Sequence, residues 1–119
     1  MAKVLVVEDV ESLNKAYTYA LTKRGHRVLS ATNGSEAMAI LKEDTVDIIL
    51  LDLLMPKMSG LDVLREMPAA RRPKILVFSN VDTDVKPAYA LGADAFMLKS
   101  SLNPTQMVEW VEENLAMAK

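Results

Sequence analysis

No cysteine occurs in the chain, which excludes disulfides, thiolate metal sites and cysteine nucleophiles but leaves the compartment open. Neither sign of charge dominates: 14 Lys and Arg stand against 16 Asp and Glu, a net charge of −2. That near-balance gives no electrostatic grip on nucleic acid or on an anionic membrane. No apolar run approaches the roughly 18 residues that a membrane helix needs. The opening "MAKVLVVED" reaches an acidic pair after one short apolar run, so it does not read as a signal peptide. A cytoplasmic protein is the expectation. Repeats, linkers and low-complexity segments are also missing. The 119 residues leave room for one domain, 1–119, closed by a terminal helix ending in "AMAK".

What is present alternates between two periods. Short β-branched runs read as buried strands: "KVLVV" (3–7), "RVLSA" (27–31), "VDIILL" (46–51), "KILVF" (74–78) and "DAFML" (94–98). Between them lie segments of helical spacing. Leu13, Ala16, Tyr17, Ala20 and Leu21 fall on one face, with Gly25 as a stop. Ala37, Ile40 and Leu41 mark a second helix, and Leu61, Val63 and Leu64 a short third. The fourth, near 84–91, must take Pro87 in its first turn or break there. The fifth starts at "NPTQ", where Asn103 can cap and Pro104 suits the first helical position. Its expected buried stripe is Val108, Val111 and Leu115. Strands and helices in this alternation predict an α/β fold: a doubly wound, five-stranded parallel sheet covered on both faces. Right-handed crossovers allow the flavodoxin-like order 2-1-3-4-5.

One stretch stands out. In "IILLDLLMPKMSG" (48–60) a single carboxylate, Asp52, interrupts an apolar run, where a charge is costly unless something compensates it. Ligand sites in open parallel sheets form beyond the carboxyl ends of the strands. Glu8 and Asp9 follow the first strand, Asp52 the third, Ser79 and Asn80 the fourth, and Lys99 the fifth. The expected strand order makes these four strands neighbours, so the groups share one crevice. Three close carboxylates repel, and a hard cation such as Mg²⁺ relieves the conflict. Asp52 can then remain ionised as a nucleophile towards phosphorus, with Lys99 and Ser79 facing the phosphoryl oxygens.

Each group also has a plainer local reading. Asp9 can cap the first helix, Asp52 can be a turn residue, Ser79 or Asn80 can cap the next helix, and Lys99 can be solvated. Turn chemistry explains each residue but not the set. His26, the only histidine, falls before the second strand and is given no role; the eight Met are read as core filler.

Taken in order, "VLVVED", "LLDLLMPKMSGLD", "ILVFSN", "ALGADAFMLK" and Lys99 resemble, over essentially the whole chain, the receiver domain of two-component response regulators. The stand-alone, chemotaxis-regulator-like kind is the nearest in form. The resemblance implies that Asp52 accepts a phosphoryl group from a phosphohistidine on a sensor histidine kinase or a histidine phosphotransfer protein. It implies Mg²⁺ held by Asp9, Asp52 and the backbone carbonyl of Leu54, with Glu8 acting mainly through water. Ser79, Asn80 and Lys99 then bind the phosphoryl group, and Ser79 and Phe96 act as the switch. The output would be a downstream protein target, or a homodimer, on the face of helix 4, strand 5 and helix 5. Tyr89 and Trp110 are candidate aromatic anchors there, Trp110 because it falls off the expected stripe. Gly60 fits a close backbone turn in the loop after Asp52.

Several residues depart from the family pattern. Ser100 follows Lys99 where proline is frequent; a cis bond before serine costs about 2.5–4 kcal/mol, so none is expected. Phe96 lacks the hydroxyl of the commoner tyrosine. Leu54 and Val81, each two residues past a key group, are apolar where polar side chains can orient an attacking water; slow loss of the phosphoryl group is the expectation. A Mg²⁺-dependent phosphohydrolase is a rival reading, but Leu54 stands where the second acid of such enzymes is common. A phosphorylation-independent binding module of the same fold, such as a flavin binder, would need a phosphate loop where "VEDVES" is acidic.

Overall fold

A computed structural model describes residues 2–56, 58–67 and 72–116. Five parallel strands, β1 (Lys3–Val7), β2 (Arg27–Ala31), β3 (Ile48–Asp52), β4 (Lys74–Ser79) and β5 (Ala95–Leu98), form one sheet in the order β2-β1-β3-β4-β5. Five helices alternate with them: α1 (Glu11–Lys23), α2 (Gly34–Glu43), α3 (Gly60–Glu66), α4 (Val85–Ala90) and α5 (Pro104–Ala116). A 3-10 turn, Lys99–Ser101, separates β5 from α5. This is the doubly wound architecture that the alternating periods imply.

The three inner strands are buried on both faces, which is why they read as unbroken apolar runs. Alternate side chains serve opposite layers. Leu5, Val7, Ile49, Leu51, Ile75 and Val77 pack with α2 and α3. Val4, Val6, Ile48, Leu50, Leu76 and Phe78 pack with α1 and α5. The edge strands β2 and β5 are only half-buried.

The helix ends follow the local chemistry. Asn33 accepts from the Glu36 amide at the start of α2, and Ser59 and Asp62 form a reciprocal capping box on α3. At α5, Asn103 and Gln106 exchange bonds of 2.8 and 3.0 Å, with Pro104 at the first helical position. Gly25, at φ 93°, ends the α1 segment in the left-handed region. Pro87 sits in the first turn of a six-residue α4. The Lys99–Ser100 bond is trans. Residues 117–119, part of the "AMAK" terminus, lie outside the described residues.

Three expectations need correction. β5 starts at Ala95, not Asp94, whose carboxylate accepts from the Ile75 amide. β3 starts at Ile48, not Val46, and its last residue is Asp52 itself; the Asp47 amide instead bonds the Lys3 carbonyl at 2.8 Å. Trp110 is not an exposed anchor: it is 8 % exposed and belongs to the core shared by α1 and α5. α5 packs on both the sheet and α1, so its buried arc is wider than one stripe. It runs through Met107, Trp110, Val111 and Asn114, spaced i, i+3, i+4, i+7. Among the described residues, no helix is long and apolar enough to cross a membrane.

Gly60 shows how tightly the loop after β3 is folded back. A Cβ there would collide with the Asp52 carbonyl oxygen and lie 2.7 Å from Leu53 Cα. The Gly60 amide donates to the Leu53 carbonyl at 3.1 Å. Gly60→Ala should therefore cost about 1–3 kcal/mol, the usual range for forced overpacking. The check is the urea unfolding midpoint, which should fall at unchanged slope; an unaltered midpoint would mean the loop yields freely.

Candidate functional site

The strand order brings Glu8, Asp9, Asp52, Ser79 and Lys99 together at the carboxyl ends of four adjacent strands. Glu8 follows β1 directly, and its amide bonds the Ala31 carbonyl at the end of β2 (3.1 Å). Asp52 closes β3, Ser79 closes β4, and Lys99 opens the turn after β5. Carboxylate oxygens of Glu8, Asp9 and Asp52 all lie within 4.8 Å of one another. The Lys99 ammonium sits between two of them, 2.8 Å from Glu8 Oε1 and 3.0 Å from Asp52 Oδ2.

Backbone amides complete the arrangement. Val10 N–H donates to Glu8 Oε2 at 2.9 Å, and Leu54 N–H donates to Asp52 Oδ1 at 3.0 Å. Each turn thus orients its own carboxylate. The Ser79 hydroxyl accepts from Val81 N–H at 3.3 Å. Glu8 and Ser79 are fully buried and Asp52 nearly so, while Asp9 is half-buried. Asn80, by contrast, is exposed.

Burial dominates the electrostatics. Loss of water pushes the Glu8 carboxyl up to about 7, against the pull of the Lys99 ammonium and the Val10 amide, and the Asp52 charge adds to the rise. Burial also raises Asp52, opposed by Lys99 and the Leu54 amide. For Lys99 burial works the other way, but the two carboxylates outweigh it and hold the ammonium above the ordinary lysine value. Among the described residues one cation, Lys99, thus faces three acids. The donor set is three hard oxygen ligands around a small gap, and it suits a compact divalent cation with retained waters.

Several residues of the site gave no signal in the sequence. Asn14 of α1, 5 % exposed, donates from Nδ2 to the carbonyls of Glu8 and Ala31, both at 3.0 Å. It ties the ends of β1 and β2 together and so fixes the backbone that carries Glu8. Its one sequence clue is position, three and seven residues before the buried Tyr17 and Leu21. Phe78 and Tyr17 lie behind the ammonium: Lys99 Nζ stands 5.5 Å from the Phe78 ring centroid, and the Phe78 and Tyr17 rings are 5.9 Å apart.

Phe96 is half-buried on the other layer, packed with the cluster beneath α3 and α4. Tyr89 is 46 % exposed on α4. With Trp110 in the core, the two aromatics do not share a surface.

With this geometry in hand, comparisons with known proteins converge. The family model of the response regulator receiver domain matches residues 4–112. The transcriptional regulatory protein AfsQ1 of Streptomyces coelicolor is 32 % identical over 101 residues, covering 83 % of this chain and 45 % of that protein. The chain spans less than half the length of the curated relatives it matches. Among solved structures, a CheY-like receiver domain protein from Methanospirillum hungatei superposes with a TM-score of 0.91 at 22 % identity, covering 98 % of this chain and 95 % of that one. The response regulator TrrA of Thermotoga maritima, in complex with Mg²⁺–BeF, gives 0.81 at 28 % identity, covering 95 % and 98 %. The chain belongs to the response regulator receiver domain family of two-component systems.

Proposed function

We propose that residues 1–119 act as one receiver switch in which Asp52 is the phosphoryl acceptor. The observation that carries this is Asp52 itself: a carboxylate 1 % exposed at the end of β3, 3.0 Å from the Lys99 ammonium and beside two further acids. An Asp52 oxygen attacks phosphorus and forms the acyl phosphate bond. The phosphorus–nitrogen bond of a phosphohistidine donor breaks, and its electron pair returns to the imidazole, which takes up a proton. Lys99 balances charge on the phosphoryl oxygens, and the Ser79 hydroxyl and Asn80 serve as their further hydrogen-bond partners.

Glu8, Asp9, Asp52 and the backbone carbonyl of Leu54 would hold Mg²⁺, with Glu8 acting mainly through water. Bound there, Mg²⁺ supplies positive charge against the carboxylates and the phosphoryl group. The Mg²⁺–BeF complex of TrrA supports this reading. Catalysis is then confined to the protein's own modification. The donor is a sensor histidine kinase or a histidine phosphotransfer protein. The output is a contact through α4, β5 and α5, with Ser79 and Phe96 as the linked switch and Tyr89 as the exposed aromatic on that face.

Intact mass after incubation with acetyl phosphate tests the acceptor. A gain of one phosphoryl group in Mg²⁺ is expected, absent without metal and absent in Asp52→Asn. Labelling that persists in Asp52→Asn would place the acceptor elsewhere.

The acid cluster also sets a pH dependence. Glu8 ionises near its ordinary value of 4.5 in the unfolded chain but about 7 when folded. Between those limits the folded state holds the proton that the unfolded chain has released, so stability falls as pH rises through that window. The wild-type Tm should drop by a few degrees more than that of Glu8→Gln between those pH limits. Mg²⁺ should reverse most of the difference. Parallel pH profiles for the two proteins would show that Glu8 is not the strained acid.

Leu54 and Val81 are 46 % and 43 % exposed at the mouth, and neither can orient a water for attack on the acyl phosphate. Slow loss of the label follows. Leu54→Asn combined with Val81→Glu should shorten the half-life severalfold, measured by mass after removal of the donor. A wild-type half-life no longer than the variant's would refute this.

A further inference from the structure

We infer that Phe78 is a positioning residue for Lys99: its ring, braced by Tyr17, is an uncharged third partner that keeps the ammonium over the site. On the layer facing α1 and α5, three of four adjacent strand ends present charge, namely Glu8, Asp52 and Lys99. The fourth, β4, presents Phe78, the register partner of Asp52. Lys99 Nζ lies over the Phe78 ring at 5.5 Å from its centroid, within the roughly 6 Å over which a ring face attracts a cation. Lys99 is only 11 % exposed along its side chain, so water screens the attraction weakly. The Tyr17 ring meets Phe78 at 72° and 5.9 Å, an edge-on contact that holds the ring plane.

The ring matters because the other two partners change during the reaction proposed above, on which this inference rests in its functional part. Asp52 exchanges its carboxylate charge for that of a phosphoryl group, which lies on different and more distant oxygens. Glu8 would turn part of its charge to a bound Mg²⁺. Phe78 neither titrates nor binds metal, so among the described partners of Lys99 it is the one that is the same before and after transfer. Asp52 and Phe78 are also tied through the backbone, since Leu53 N–H donates to the Phe78 carbonyl at 3.0 Å.

Site-specific incorporation at position 78 of 4-fluoro-, 3,5-difluoro- and pentafluorophenylalanine weakens the ring's attraction for a cation stepwise with little change of volume. Phe96, the other phenylalanine, stays unaltered. The rate of labelling by acetyl phosphate at saturating Mg²⁺ should fall stepwise, roughly three- to tenfold across the series, while the urea midpoint stays within error. A purely structural Phe78 would move the rate only with the midpoint. A flat series, or one that tracks stability, overturns the inference. Failure of the wild type to take any label would instead sink the acceptor reading, and the free protein then decides. Lys99 ε-methylene protons shifted upfield by the ring, and restored in Phe78→Leu, support the placement; unshifted resonances in the wild type overturn it.

Discussion

One ammonium held between two buried carboxylates is the interaction on which the rest of this protein turns. Glu8 and Asp52 have almost no access to water, and Lys99 reaches both within 3.0 Å. Burying such groups costs several kcal/mol per ion before their attraction returns anything, and loss of one partner strands the others. The cluster is therefore stable only as a set, and it is still short of positive charge. That shortfall makes the site receptive to a compact cation, which relieves it.

The sheet supplies the rigidity that this strain requires. β1, β3 and β4 are buried on both faces, so the positions of Glu8, Asp52 and Ser79 are fixed by the most protected part of the core. Local devices then aim the side chains. Asn14 brackets the ends of β1 and β2, the amides two residues on orient Glu8 and Asp52, and Gly60 lets the loop close against the Asp52 carbonyl. None of these devices is chemically reactive. Each removes a freedom that would let the carboxylates swing out into water, where their mutual repulsion would disperse.

Elements built by repetition were readable from the chain, and contacts across the fold were not. Strand runs such as "KVLVV" and "RVLSA" match the sheet to the residue, because period and β-branching act locally. The clustering of charge was readable because Asp52 interrupts an apolar run and compatible groups recur at the ends of strands made neighbours by the order 2-1-3-4-5, which right-handed crossovers allow. Trp110 was misplaced because a stripe drawn from the three aliphatics Val108, Val111 and Leu115 misses the second surface that α1 presents to α5. Asn14 passed unnoticed for a related reason: a polar residue beside an apolar stripe looks solvated until two strand-end carbonyls are seen to need it. Phe78 reads only as part of the strand run "KILVF", since only the arrival of Lys99 from β5 gives its ring a cation to face.

Two elements of the region proposed to carry the signal, α4 and β5, are thinly built. α4 has six residues, no side-chain cap at its start and one buried residue, Ala88. β5 has four residues, none fully buried. Few buried contacts mean a low cost of local rearrangement, which suits an element that must change with the state of a site on rigid neighbours. β5 is well placed to transmit such a change. Lys99 leaves its end on the layer of α1 and α5, while Phe96 faces the layer beneath α4. On the proposed function, a displacement of Lys99 towards a phosphoryl group would pull on the same short strand that seats Phe96 and so reach α4 through β5. The stiff half of the sheet holds the carboxylates, and on the proposed function the loose half, which carries Lys99, would register what happens to them.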